Sequence, residues 1–552
     1  MRTWILAILM LSFDFLPLQA QNIIYVNVDA LGNNTGLSWN DAYTDLQDAL
    51  SEADSADQIW VASGTYYPTT CQVCYDADRD ISFSLVNGVE LIGGFAGSER
   101  TLLERATDSI SLFVDHPTIL SGDIGIKGDS LDNSYTVVYV ESVDSTTTIN
   151  GFIIRGSNAG GSVEVNNLKK SRGGGIYNKS GSLKIKHCLL ELNKATLGGG
   201  IYCSGGSIQT IACHFRFNEA IFGGGIYNFE GIIRISQTTF LGNLGTLIGG
   251  GIYNKKVTLR IHQTKFLSNI ASLRGGGIEN FNSLIQIENS YFQFNEASEG
   301  GAIYNNNTDS SISKSSFSNN NSSLNGGGVF SIRGLQNIDS CVFQFNSASK
   351  GGGFYNKDSF QQLTNSTLEN NTSSSKGGGI YNETSSLKIY NCKFSVNEAT
   401  EGGGIYSTGN SLNLIQSSFS KNRVLLKGGG VYSNIGVPHI KLCLFQENFA
   451  EEGGGIYQSG GSPQLIQTDF IINVADSSGG GLSVLGGSPV IKNCKLKENE
   501  AFQGGGINFN YSSPKIEICE FQENNAKKGG GIYSLGGSSS INFCVFDLNE
   551  GI

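Results

Sequence analysis

The sequence is poor in charge. Only 15% of its 552 residues are Asp, Glu, Lys or Arg, against about 25% in an ordinary globular chain. The formal net charge is −11 and no block of Lys or Arg stands out, which argues against a nucleic-acid partner. Beyond the N-terminus no segment has the roughly 20 unbroken apolar residues of a membrane helix. The five His residues (His116, His187, His214, His262 and His439) are scattered and make no spacing motif. No Gly-Lys-Ser/Thr follows a glycine run, so the glycines are not phosphate cradles.

What is present begins with a leader. MRTWILAILMLSFDFLPLQAQN has a positive start at Arg2, an apolar run and a small-residue cleavage site at Ala20. Residues 1–20 therefore read as a secretory signal peptide, and the mature chain is expected to be exported.

Glycine is abundant, at 74 residues, and it is phased. A Gly-Gly-Gly or Gly-Gly-Ala block recurs fifteen times between Gly173 and Gly529, always 25 or 26 residues apart, followed by an aliphatic and usually an aromatic residue. Phe or Leu followed three residues later by Asn keeps step, as in Phe215/Asn218, Phe343/Asn346 and Phe546/Asn549. Between the two lie short alternating runs such as Leu387-Lys388-Ile389-Tyr390, the period of 2 that marks a half-buried strand. A unit this short cannot bury its apolar face alone, but copies stacked on one another can. The spacing predicts two or three short strands per unit, each unit one coil of a parallel β-helix. The crossover rule favours the right-handed form. Fifteen coils about 4.8 Å apart make a rod about 70 Å long. The glycines are expected where coils stack too closely for a Cβ, Phe inside, and Asn in a turn as a stacked amide ladder.

Residues 21–172 lack the repeat. Trp39, Tyr43, Leu46, Leu50 and Ala53 are at helical spacing, which predicts an α-helix over 40–53 capping the N-terminal end of the rod. Strands are expected at 58–62, 89–93, 136–140 and 148–154, in irregular first coils. The regular β-helix then runs over 173–552 as about fifteen repeats.

GGAIY at 300–304, with the Phe-x-x-Asn of 292–295, resembles the paired motifs of the chlamydial polymorphic outer membrane protein repeat. GGGIY and GGGVY are the commoner variants, and the resemblance covers about 173–549. The region from IYVNVDALGNNTGLSWNDAYTDLQDAL through IWVASGTYYPT and LIGGFAG to ILSGDIG resembles the entry segment of exported bacterial β-helix proteins. The resemblance implies an all-β, right-handed, single-stranded, pectate-lyase-like solenoid at a cell surface. The family's best-known members are adhesins carried by a C-terminal barrel. This chain departs from that pattern, with no C-terminal segment of alternating strands.

Candidate sites are few. Ile should point inward, so Tyr355, Tyr381, Tyr406, Tyr432 and Tyr457 should point outward. They offer a glycan- or protein-binding platform, or they stack along the rod and shield the sheet. Eight Cys two residues before the Phe position (Cys188, Cys213, Cys341, Cys392, Cys443, Cys494, Cys519 and Cys544) read as small buried hydrophobes, with adjacent-coil disulfides as the alternative. Cys71 and Cys74 form one C-x-x-C, a loop disulfide in an exported protein rather than half a zinc site or a redox pair. Asp123, Asp129 and Asp132 are a weak Ca²⁺ candidate against a plain solvated loop. No other cofactor is indicated. Pectin hydrolases of this fold need paired aspartates and a Gly-His-Gly, and this sequence has neither. The expected function is therefore an exported adhesin or binding scaffold without catalysis, extracellular or at the outer membrane, with a glycan or cell-surface protein as ligand. A polysaccharide lyase or glycoside hydrolase is the alternative.

Overall fold

The computed structural model describes residues 22–68, 78–105, 111–161, 168–409 and 411–551. The expected leader and the Cys71/Cys74 pair lie outside the described residues.

The coil beginning at Gly326 shows how the repeat folds. Its strands are Val329–Ile332, Leu335–Asp339, Val342–Gln344 and Ser347–Lys350. Between them the chain turns in the left-handed region at Arg333-Gly334, Ser340 and Phe345, and it leaves the coil at Gly351. Corners of one or two residues leave the rest of the unit free to be extended, so a coil holds four strands rather than two or three. Every strand pairs in parallel with its counterpart one coil on, as Val329 with Phe354 and Phe343 with Leu368. The first two strands of each coil share one wide sheet. The third builds a sheet with inward Phe, the fourth a sheet with inward Ala. We call these the wide, Phe and Ala sheets.

The inward columns are continuous. Stacked Phe rings from Phe215 onward lie 4.6–5.1 Å apart and within 10° of parallel, and they are almost fully buried as far as Phe521. Beside them runs the amide ladder. Asn320 Nδ2 donates to Asn346 Oδ1 at 3.0 Å and to the Phe292 carbonyl at 2.9 Å, while its backbone N–H donates to Asn346 Oδ1 at 3.0 Å. The same pattern runs from Asn193 to Asn549. A buried amide left unpaired would cost about 1–3 kcal/mol. Here each is satisfied by an identical neighbour. Gly327 needs to be glycine because a Cβ there would lie 2.4 Å from the Gly352 carbonyl oxygen and 2.5 Å from that of Ser347.

The cysteine column does face inward, and the described cysteines are free. It alternates with Ser and Thr because each side chain meets the carbonyl two residues earlier. Cys341 Sγ lies 3.2 Å from the Asp339 oxygen, as Ser290 Oγ lies 2.9 Å from that of Glu288. Burial pushes the Cys341 thiol up to about 12.

At the N-terminal end, helix α1 (Leu46–Glu52) is shorter than expected. Asp45 starts it by accepting the Gln47 N–H at 2.8 Å. Trp39 and Tyr43 fall outside it, because the chain before Asp45 is already engaged: the Tyr43 N–H donates to the Tyr25 carbonyl, and Trp39 Nε1 donates to that of Glu99. Leu46, Ala49 and Leu50 bury against strands β1 (Ile23–Val26) and β2 (Gln58–Ala62), at the open end of the core.

Candidate functional site

The tyrosine column points out of the core but is not an exposed platform. Tyr355, Tyr381, Tyr406 and Tyr457 are only 3–7% exposed, and Tyr432 is half-buried. Each ring stacks on the next at 4.5–5.3 Å. Lys376 and Lys427 each sit 4.4 Å over a ring, Tyr406 and Tyr457 respectively, and donate to its hydroxyl at 2.8 and 3.0 Å. Tyr355 donates to Glu383. Burial pushes the Tyr381 and Tyr432 hydroxyls up to about 12. A residue that points outward in one coil is covered by its copy in the next, so both faces of each ring are used.

Glu279 breaks this column, taking the place of Tyr between Tyr253 and Tyr304. It is 1% exposed. Its Oε1 lies 3.4 Å from Arg274 Nη2, and its Oε2 has no hydrogen-bond partner among the described residues. Burial, opposed by Arg274 and reinforced by Glu299, pushes its carboxyl up to about 8. The single GGGIEN among the GGGIY blocks is the signal for it.

A groove on the outer face of the Phe sheet is a second candidate. Its floor is two columns in register. One is Ile119, Ile153, Leu189, His214 and Thr239; the other runs through Arg155, Glu191, Arg216 and Leu241. Phe113, Val114 and Pro117 overhang one side of an open groove of about 560 Å³, the size of a small-ligand pocket. The overhang is anchored from behind. Leu112 is buried over Gly94, where a Cβ would come within 2.3 Å of it. Thr118 Oγ1 accepts the Gly94 N–H at 2.8 Å, and Arg105 Nε donates to the Gly93 carbonyl at 2.6 Å.

The groove is apolar at the centre and charged along one side. Glu191, 6% exposed, is clamped between two guanidiniums. Arg216 Nε donates to Oε2 at 3.0 Å, and Arg155 Nη1 lies 3.7 Å from Oε1. A carboxylate so held is a fixed acceptor and a poor nucleophile. Phe113 meets His214 edge to face at 6.2 Å. Burial, then Arg216 and Lys265, pushes the His214 imidazole down, which keeps it neutral at physiological pH. The site can hold a flat apolar or ring-shaped group against Phe113 and Leu189 and hydrogen-bond its edge through His214.

Of the residues singled out from sequence, His214 lies in this groove and the five tyrosines do not. Asp123, Asp129 and Asp132 are not gathered for a cation. Asp123 accepts the Gly128 N–H, Asp129 that of Leu131, and Asp132 that of Ile126. No cluster of three metal-ligating side chains occurs among the described residues. Phe113, Arg155, Glu191 and Arg216 were missed. The available signal was the long interval between the strands Glu90–Phe95 and Thr118–Ser121.

Comparison with known families gives two matches. A right-handed β-helix region matches residues 378–549, and the Chlamydia polymorphic membrane protein repeat matches residues 365–383. The second match spans one Leu368-x-x-Asn371 and the GGGIY that follows it. No curated protein matches the chain.

Proposed function

The chain is a right-handed parallel β-helix carrying the chlamydial polymorphic membrane protein type of repeat, and from that premise we propose that it is an exported surface adhesin or binding scaffold. The repeat suggests an outer-membrane or cell-surface protein. The observation that carries the finer reading is the groove under Phe113. It is a partly covered, largely apolar groove on a rod whose outward aromatic column is closed by its own stacking. Its ligand is a glycan or a cell-surface protein that presents a ring or an apolar side chain. The reading contains no catalytic step.

Glycan and cell-binding arrays on the full chain test it, with Phe113→Ala and His214→Ala as variants. Phe113 overhangs the groove and His214 stands on the outer face of the sheet that floors it, both outside the core, so the melting temperature should change little while binding is lost. Binding that persists in both variants would remove the groove from the account. Turnover of any polysaccharide in a reducing-sugar or unsaturated-product assay would replace the adhesin with a carbohydrate-active enzyme.

A further inference from the structure

On the outer face of the wide sheet, several Lys sit against a Glu on an adjacent coil. Lys314 lies 3.2 Å from Glu288, Lys357 3.1 Å from Glu383, and Lys492 3.6 Å from Glu517. Like charges directly opposite one another on a sheet are destabilising, and opposite charges favourable. Arg234 and Arg260 form a like-charge pair instead. They are paired in register on adjacent strands, both exposed, so their backbones are about 4.8 Å apart. Neither has an ion-pair partner among the described residues.

Three further observations bear on this pair. Its strands, Ile226–Ser236 and Ile252–His262, turn at Glu230 and Lys256, the left-handed corner that other coils also have, and the two arginines stand on the straight arm after it. The neighbours in the same column are amides and a hydroxyl, Gln209 on one side and Gln286 then Ser311 on the other. All five line one open groove of about 490 Å³. The carboxylate that lines this groove, Glu288, is already engaged by Lys314 at 3.2 Å and by His262 at 3.7 Å. The face thus holds two guanidiniums and two amides with N–H donors in a row, and among the described residues no carboxylate pairs with either guanidinium.

We propose that Arg234 and Arg260 form an oxyanion site, in which a sulfate, phosphate or carboxylate group bridges the two guanidiniums and is flanked by the amides of Gln209 and Gln286. Guanidinium forks match such groups bidentately. The bound anion removes the repulsion between the two arginines, and this gives a reason for their placement on adjacent coils. The site lies on a different sheet from the groove under Phe113 and does not depend on it. The oxyanion comes either from an acidic sugar chain or from a free ion.

Isothermal titration calorimetry on the full chain at constant ionic strength separates these sources. The probes are a sulfated heparin-type oligosaccharide, an oligogalacturonate and inorganic phosphate. At least one is expected to bind. Arg234→Gln and Arg260→Gln should each weaken it by about tenfold or more, and the double variant should abolish it. Lys441→Gln, farther along the same sheet, should change it less than about twofold. Binding of an oligosaccharide without phosphate assigns the oxyanion to a sugar, and phosphate binding of equal strength assigns it to a free ion. Absence of binding by all three probes overturns the proposal. So does an unchanged affinity in the double variant, or an equal loss in Lys441→Gln, which would mean diffuse attraction.

Discussion

The regular coils and the N-terminal coils solve the same burial problem differently. From Gly173 onward, most inward side chains and most of the outward Tyr rings meet a copy of themselves or a close substitute in the next coil. The Phe rings, the Asn amides and the Tyr rings are all used up in this way. In the first coils the partners are unlike. Arg105 reaches Gly93 and Asn150, Leu112 packs on Gly94, and Thr118 caps a glycine N–H. Repetition makes a continuous rod with closed columns. Irregularity makes an overhang, and with it a concave surface.

The comparison can be broken most sharply with one substitution made twice. Gly327→Ala drives a Cβ into two backbone carbonyl oxygens, that of Gly352 in the next coil and that of Ser347. It should destabilise the rod by about 4 kcal/mol or more, read as a shift in urea midpoint. Gly128→Ala, in the N-terminal section, meets nothing within 4 Å and has only its φ of +85° to oppose it. It should cost about 1 kcal/mol. Equal effects would contradict close stacking as the reason for the glycine blocks.

Phenylalanine gives the next contrast. Phe317 is fully buried between Phe292 and Phe343 at 4.8 and 4.6 Å, so Phe317→Ala should cost about 3–5 kcal/mol. Phe113→Ala, at the surface of the groove, should cost less than about 1 kcal/mol. The measurement is again the denaturation midpoint of the full chain.

Glu279 sharpens the comparison through pH. Its folded-state carboxyl is raised from 4.5 to about 8. Between those values the native state holds a proton that the unfolded chain has released. Its contribution is therefore complete below about 4.5 and is lost as pH rises through about 8. Melting temperature should fall across that window, and Glu279→Gln should remove that part of the fall. An unchanged slope in the variant would show that the carboxyl is not held in its neutral form.

The smallest effect is a gain. Gln361 is fully buried in a column where Leu387 and Leu412 follow, and neither its Oε1 nor its Nε2 has a partner among the described residues. Gln361→Leu should stabilise by about 1 kcal/mol, again read from the urea midpoint. Loss of stability would mean that the amide has a partner there.

The columns were legible in the sequence because period 2 within a strand and a 25- or 26-residue period along the chain are both set by backbone geometry. Phe343, Asn346 and Gly326 could be assigned from spacing alone. The exposure of Tyr381 could not, because it depends on how closely the next ring stacks, and an inward/outward pattern does not contain that distance. The helix was placed by hydrophobic spacing, but its start depended on Asp45 and on pairing upstream of it. The groove was beyond reach for a different reason. It joins Phe113 to His214 and Arg216, about a hundred residues later, through an irregular crossing with no periodic signature. The oxyanion pair was half legible. Arg234 and Arg260 are one repeat apart, yet their lack of carboxylate partners appears only once neighbouring columns are aligned.

The left-handed corners have one more consequence. The corner that opens each glycine block admits only glycine, whereas the other three accept almost anything. At the corner after the Phe sheet, successive coils carry Phe294, Asn319, Phe345, Asn370 and Val396, all in the same conformation. Their side chains project from the rod's edge, and Phe294 and Phe345 are more than half exposed. Such positions are free of the packing code that fixes everything around them. A lineage can rewrite them one by one, changing what the molecule displays to its surroundings while the scaffold underneath stays the same.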